Sequence, residues 1–296
     1  MWREVVELGR IVDRLGEVAG SRVVADAAVI FSWEAWWATD TECRPSQAVG
    51  YLTQVHATYA ALHARGLTVD VVRPGADLSA YRLVVVPGLH LLRADEAAVL
   101  TDWIAAGGTA VVTFNSGIVD EQDRIWAGGY TGPLREALGI HVEEFAPVAP
   151  GVAIALDDGT SSRLWSERLR TTTAETLARF ADGPAAGSPA VTRNAHGRGS
   201  AWYLATQLDP AALADRLGAI ARDAGVRPPA EVDAAGAFEI VRRRGERASY
   251  VFVVNHGDTD LVADVRGTEL ITGTAVEDRL RVPSGAVRVV REENPS

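Results

Sequence analysis

Lysine is absent from this 296-residue sequence, and cysteine and methionine each occur once. Every cation is therefore an arginine, which we read as the coding bias of a GC-rich genome rather than a functional device. A single cysteine, Cys43, excludes an intramolecular disulfide and any cysteine-based metal cluster, leaving it the default role of a small buried or loop residue. Positive charge is in short supply: 29 basic against 39 acidic residues give a net charge of -10 and a pI near 5.1. Phosphate neutralisation needs clustered cations and these are scattered, so a nucleic-acid partner is not expected. The one basic run, Arg242-Arg243-Arg244, precedes Gly245 and reads as an exposed hairpin end. No apolar run approaches ~18 residues, so no membrane span is expected. Met1-Trp2-Arg3-Glu4 lacks the basic end and apolar core of a secretion signal, so the expected location is cytoplasmic.

What is present is organised around residues 83–117. Leu83-Val84-Val85-Val86-Pro87 and Thr109-Ala110-Val111-Val112-Thr113-Phe114 are short, continuous and β-branched, the pattern of strands covered on both faces in a parallel sheet. Between them Ala98, Val99, Asp102, Trp103 and Ala106 fall at helical spacing, and Gly107-Gly108 supplies a helix stop. Strand, helix, strand is a right-handed crossover unit. Any ligand of such a sheet sits beyond the carboxyl ends of its strands, which points to Gly88-Leu89-His90 and Asn115-Ser116-Gly117.

Around this centre the spacing predicts an amphipathic helix over 2–19, with Val5, Leu8, Val12, Leu15 and Val18 as its apolar stripe. A first strand follows over 23–31 and runs into Ser32-Trp33-Glu34-Ala35-Trp36-Trp37. A second helix opens at Pro45-Ser46 and carries Val49, Leu52, Val55, Tyr59 and Leu62 as its buried stripe; the next strand covers 68–72. The glycine-rich segment 128–133 does not match a phosphate loop and reads as a turn. Strands over 190–193 and 200–206 form a hairpin, a helix covers 210–224, and Arg227-Pro228-Pro229 is a linker. Residues 231–293 carry only strand signals and predict a small antiparallel sandwich. The fold class expected is α/β: a flavodoxin-like parallel-sheet domain over 21–227 followed by the antiparallel domain over 231–293.

Few residues offer chemistry. The turn at Asn115-Ser116-Gly117 invites comparison with a nucleophile elbow, in which a sharp turn lifts Ser or Cys towards a base. The domain resembles the class I glutamine amidotransferase fold, whose nucleophile is a cysteine and whose base lies in a His-Pro-Glu step after a late strand. Here Asn115 and Ser116 hold the elbow, while Asp209 and Ala211 flank Pro210 where His and Glu are expected. Asp is no neutral-pH base for a hydroxyl and Ala orients nothing, so the site reads as vacated and no catalytic residue is assigned. His56 and His63 share a helix without a third ligand, so no metal is expected. Asp120-Glu121, Glu143-Glu144 and Asp157-Asp158 read as solvated pairs. Trp33, Trp36 and Trp37, with Glu34, remain as candidates for contact with sugar or protein, against burial in the domain's own core; Tyr51 and Cys43 add nothing decisive.

These stretches together resemble the C-terminal half of glycoside hydrolase family 42 β-galactosidases. The resemblance rests on residues 33–38, 81–87, 106–113, Ser116-Gly117-Ile118-Val119-Asp120-Glu121, Thr206-Gln207-Leu208-Asp209 and Phe252-Val253-Val254-Asn255-His256-Gly257. It implies that residues 1–20 are a remnant like the last helix of a (β/α)8 barrel, that 21–227 mediates trimer formation, and that the sandwich ends the chain. A barrel takes ~250 residues, so its two catalytic glutamates map to no position here. The resemblance implies a non-catalytic, accessory part of a homotrimer that meets galactoside only through a barrel on the full-length or a companion chain, and that needs no cofactor. Two other readings stay open: a stand-alone hydrolase or amidotransferase-like enzyme using Ser116, and a sugar-binding module using the tryptophans. If the barrel is absent, the stripe on 2–19 has lost its cover, so self-association or repacking of that helix is expected.

Overall fold

The computed structural model describes residues 2–41, 45–234 and 236–293; Cys43 lies outside them. The chain divides into two compact units, one of Asp26–Ala61 and Val69–Val226, the other of Met1–Ala25, Leu62–Thr68 and Arg227–Ser296.

The larger unit is built on a seven-stranded mixed sheet. Its strands are β1 (Ala27–Ile30), β2 (Val69–Val72), β3 (Leu83–Val86), β4 (Thr109–Thr113), β7 (Glu175–Arg179), β8 (Pro189–His196) and β9 (Gly199–Leu204), in the spatial order β7-β8-β9-β4-β3-β1-β2. β9, β4, β3, β1 and β2 run parallel, while β7 and β8 add an antiparallel edge. Counted along the chain, the parallel strands stand in the order 2-1-3-4-5, with the reversal between β1 and β3. Every residue of β1 and β3 is buried, as continuous apolar runs covered on both faces must be. Outside this sheet, β5 (Ile140–Pro147) pairs with β6 (Trp165–Thr171) as a two-stranded ribbon.

The helices follow the same logic. α3 (Ala94–Ala105) connects β3 to β4 and buries Ala97, Leu100 and Ile104. Its start is fixed by Glu96, whose carboxylate accepts the Arg93 backbone N–H at 3.1 Å. At its end Gly108 lies under the Trp103 ring, and a Cβ on Gly199 would overlap the carbonyl oxygens of Ile104 and Gly108. Glycine at 108 and 199 thus lets the end of α3, the start of β4 and the β8–β9 turn meet. α1 (Trp33–Thr39), α2 (Tyr51–His63) and α4 (Pro210–Asp223) complete the set. α2 begins later than the Pro45-Ser46 signal predicts. Val49 instead packs outside the helix, in a cluster with Phe114 and Trp165.

In the smaller unit, β10 (Phe238–Arg244), β11 (Ala248–Asn255) and β14 (Val287–Glu293) centre a six-stranded sheet, and β12 (Leu261–Asp264) and β13 (Arg279–Val282) belong to a three-stranded one. Ile240, Val251, Val253, Leu261, Val282 and Val290 share one core cluster, the alternating pattern of a sandwich. Two expectations are corrected here. Arg22–Val23 does not extend β1; it pairs antiparallel with Arg243–Arg244 on the edge of the six-stranded sheet, and the parallel strand begins only at Ala27. The basic run is therefore no free hairpin end: Arg242 bonds the Glu292 carboxylate at 3.2 Å and the Pro229 carbonyl at 2.8 Å, and Arg243 bonds the Ser21 hydroxyl at 2.9 Å.

The N-terminal helix spans Trp2–Arg14 and buries none of its residues. Leu15 and Val18, just beyond it, pack on Ala248, Tyr250 and Val289 of the sandwich's outer face. Tyr250 donates its hydroxyl to the Glu17 carbonyl at 2.9 Å, and Arg291 meets the Glu17 carboxylate at 3.3 Å. The stripe is thus covered at its carboxyl end, while Trp2, Val5, Leu8 and Val12 stay exposed.

Candidate functional site

β4 hands over to Phe114-Asn115-Ser116-Gly117 at the carboxyl ends of the parallel strands. Asn115 and Gly117 both take left-handed backbone, at φ 63° and 64°. A Cβ on Gly117 would stand 2.8 Å from the Thr131 carbonyl oxygen, so the turn is closed by close backbone approach. The elbow shape is therefore present, but its hydroxyl points into the fold, where it donates to the Val86 carbonyl at 3.4 Å. Ser116 is fully buried, and its Oγ accepts the Leu89 backbone N–H at 3.0 Å. One step back, Thr113 Oγ1 accepts the Gly88 N–H at 2.9 Å. Together these bonds join the ends of β3 and β4, and Ser116 serves as a fastening.

Asn115 faces His90, with Nδ1 of the imidazole 3.2 Å from its Oδ1. Burial pushes the His90 pKa down, which favours the neutral ring. His90, Asn115, Trp165, Thr39 and Ser46 line a cavity of about 70 Å3, small beside the ~300 Å3 and more of ordinary ligand pockets.

Beneath the elbow lies a residue that the sequence does not announce. Glu167 on β6 is fully buried, and its carboxylate accepts from Trp165 Nε1 at 3.0 Å and from the Tyr203 hydroxyl at 2.7 Å; the Asn115 backbone N–H adds to these. Its hydrogen-bond donors are all neutral, and burial pushes the pKa up to about 7 against their pull. Ser166-Glu167-Arg168 reads as an ordinary polar stretch of strand; the preceding buried Trp165 is the only local hint.

Asp209 and Ala211 do not form a second half to this site. The Asp209 carboxylate is taken by Arg163, whose Nε stands at 2.7 Å, and by the Ser161 hydroxyl. The Ser161 bond above all, with Arg163 behind it, holds the pKa below the usual carboxylate range. Ala211 is exposed in the first turn of α4. Among the acidic pairs, Glu143 and Glu144 bond Arg170 and Arg168 at 3.2 and 3.4 Å. Among the described residues, no three His, Cys, Asp or Glu side chains gather as a metal-holding group, and no helix is long and apolar enough to cross a membrane.

The aromatic segment forms α1 at the carboxyl end of β1. Ser32 caps it, its Oγ accepting the Ala35 N–H at 3.1 Å, while the Ser32 N–H bonds the Tyr51 hydroxyl at 2.8 Å. Tyr51, which the sequence alone leaves without a role, thus sets where the helix starts; burial pushes its pKa up to about 12. Ala35 and Thr39 face inward, whereas Trp33 and Trp37 are 56% and 65% exposed and Trp36 is half-buried. The Trp33 ring lies 5.1 Å from Phe31, 5.3 Å from Trp36 and 6.3 Å from Trp37. Beside them Glu34 and Arg93 form a two-pronged ion pair, with Nη2 at 2.9 Å from Oε1, and the Arg93 hydrogen bond lowers the Glu34 pKa.

The family model for the β-galactosidase trimerisation domain matches residues 25–227, and that for the β-galactosidase C-terminal domain matches 238–292. The chain belongs to the GH42 β-galactosidase family. A β-galactosidase of Arthrobacter sp. is 40% identical over 296 residues, covering 99% of this chain and 42% of the relative, and β-galactosidase LacZ of Heyndrickxia coagulans is 36% identical, covering 98% and 44%. The crystal structure of the β-galactosidase from Bacillus circulans sp. alkalophilus superposes with a TM-score of 0.92 at 31% identity, over 98% of this chain and 45% of that one. The chain thus corresponds to the trimerisation and C-terminal domains of GH42 β-galactosidases and spans less than half the length of the relatives it matches.

Proposed function

We propose that this chain is the non-catalytic oligomerisation and accessory portion of a β-galactosidase. Retaining hydrolysis of terminal β-D-galactosides would be carried by a (β/α)8 barrel on the full-length or a companion chain. The observation that carries this reading is the occupied elbow: the Ser116 hydroxyl fastens the Leu89 amide, and Asp209, in the expected place of a base, is locked onto Ser161 and Arg163. A nucleophile without a base in reach has nothing to take its proton.

Other features support the finer parts. The 2-1-3-4-5 order of the parallel strands favours a flavodoxin-like sheet and kinship with class I amidotransferases. The trimerisation-domain match favours a homotrimer, the exposed part of the stripe, Val5, Leu8 and Val12, favours residues 1–20 as a barrel's last helix, and the acidic chain fits a cytoplasmic setting. In this reading residues 21–227 are the trimerisation domain and 231–293 the C-terminal domain. Trp33, Glu34, Trp36 and Trp37 are the surface offered to a neighbouring subunit or to the approach of substrate. The competing reading, a hydrolase using Ser116, is separated by assaying a nitrophenyl galactoside and a nitrophenyl ester with the wild-type chain and Ser116→Ala. Both proteins are expected to match the buffer blank; ester turnover abolished by Ser116→Ala contradicts the proposal.

A further inference from the structure

We infer that the outward face of α1, carrying Trp33 and Trp37, is the surface through which one copy of this chain grips a second copy. The inference rests on the oligomerisation reading above and decides between the two uses it leaves open for the tryptophans, a neighbouring subunit or the approach of substrate.

Trp33 and Trp37 stand four residues apart and so share one helix face, and both indoles are more than half exposed. They are held from behind rather than left loose. Trp33 meets Phe31 edge-on, Trp33 and Trp36 lie 33° apart, and the helix start is pinned through Ser32 to Tyr51. Rigid, exposed tryptophans of this kind are the side chains that dominate protein contacts. The neighbouring charges favour the same use. Glu34 and Arg93 satisfy one another through two bonds, so covering this face strands no unpaired charge.

Sugar is the weaker occupant. A sugar platform needs an open ring face flanked by free hydrogen-bonding groups in a concavity. Here Trp33 and Trp37 are inclined by 41° on a convex helix, and the adjacent Glu34 and Arg93 are already engaged with each other. A copy of the same chain is the partner because the segment lies inside residues 25–227, matched by the family model of the β-galactosidase trimerisation domain. In a closed ring each copy presents α1 to a different surface of the next, so one defective face weakens every contact at once.

The test is the mass in solution of the full 296-residue chain across a dilution series, for wild type, Trp33→Ala/Trp37→Ala and Trp37→Arg, with near-ultraviolet circular dichroism confirming that each is folded. The wild type is expected to be an oligomer, and either variant, still folded, to dissociate at concentrations roughly tenfold or more higher. A monomeric wild type would overturn the oligomerisation reading and this inference with it. An oligomeric wild type with unchanged variants overturns the inference alone. So does a galactose-dependent change in tryptophan fluorescence that the double variant loses while its mass stays that of the wild type.

Discussion

Glu167 shows what a single buried carboxylate does when its donors are all neutral. In the unfolded chain it titrates near 4.5, whereas in the fold burial carries it to about 7. A raised folded pKa means that the group favours the native state fully below about 4.5, and that this contribution is lost as pH rises through about 7. At ~1.4 kcal/mol per unit the difference amounts to about 3 kcal/mol. Thermal midpoints measured between pH 5 and 8 should therefore fall more steeply with pH in the wild type than in Glu167→Gln, which cannot ionise; equal slopes would contradict the assignment. The same residue marks a limit of sequence reading. Asn115 and Ser116 were legible as an elbow because the turn is local. Glu167, Tyr203 and Trp165 come together only when β6 and β9 converge, and nothing in a single strand records that meeting.

At the scale of elements, the β3–α3–β4 crossover was readable because its pattern is complete within thirty-odd residues: two β-branched runs, an amphipathic helix and a glycine stop. Its packing partner was not. Gly199 opens β9, just after the β8–β9 turn and far along the chain, and its missing Cβ is what admits the carbonyls of Ile104 and Gly108. Gly199→Ala should destabilise the fold by ~1–3 kcal/mol, the usual range for forced overpacking, as measured by denaturant unfolding; a neutral effect would mean that the turn yields freely. Long-range pairing also explains the corrected boundaries. Arg22–Val23 carries an ordinary strand signal, but it takes β10 as its neighbour, and local β-propensity names no partner. The aromatic segment was visible as unusual, yet its helical form depends on the Ser32 cap and the distant Tyr51 hydroxyl.

For the whole molecule, a closed turn at Ser116, an exposed aromatic helix and an N-terminal stripe covered only at its carboxyl end accord with the proposed accessory role, in which sugar cleavage would belong to a barrel. A retaining glycosidase declares itself by the covalent glycosyl-enzyme it forms on a carboxylate. The most direct test is therefore the intact mass of the purified chain after incubation with an activated 2-deoxy-2-fluoro-β-galactoside, which traps that intermediate. The account predicts an unchanged mass; a stoichiometric gain of one fluorogalactosyl group would contradict it.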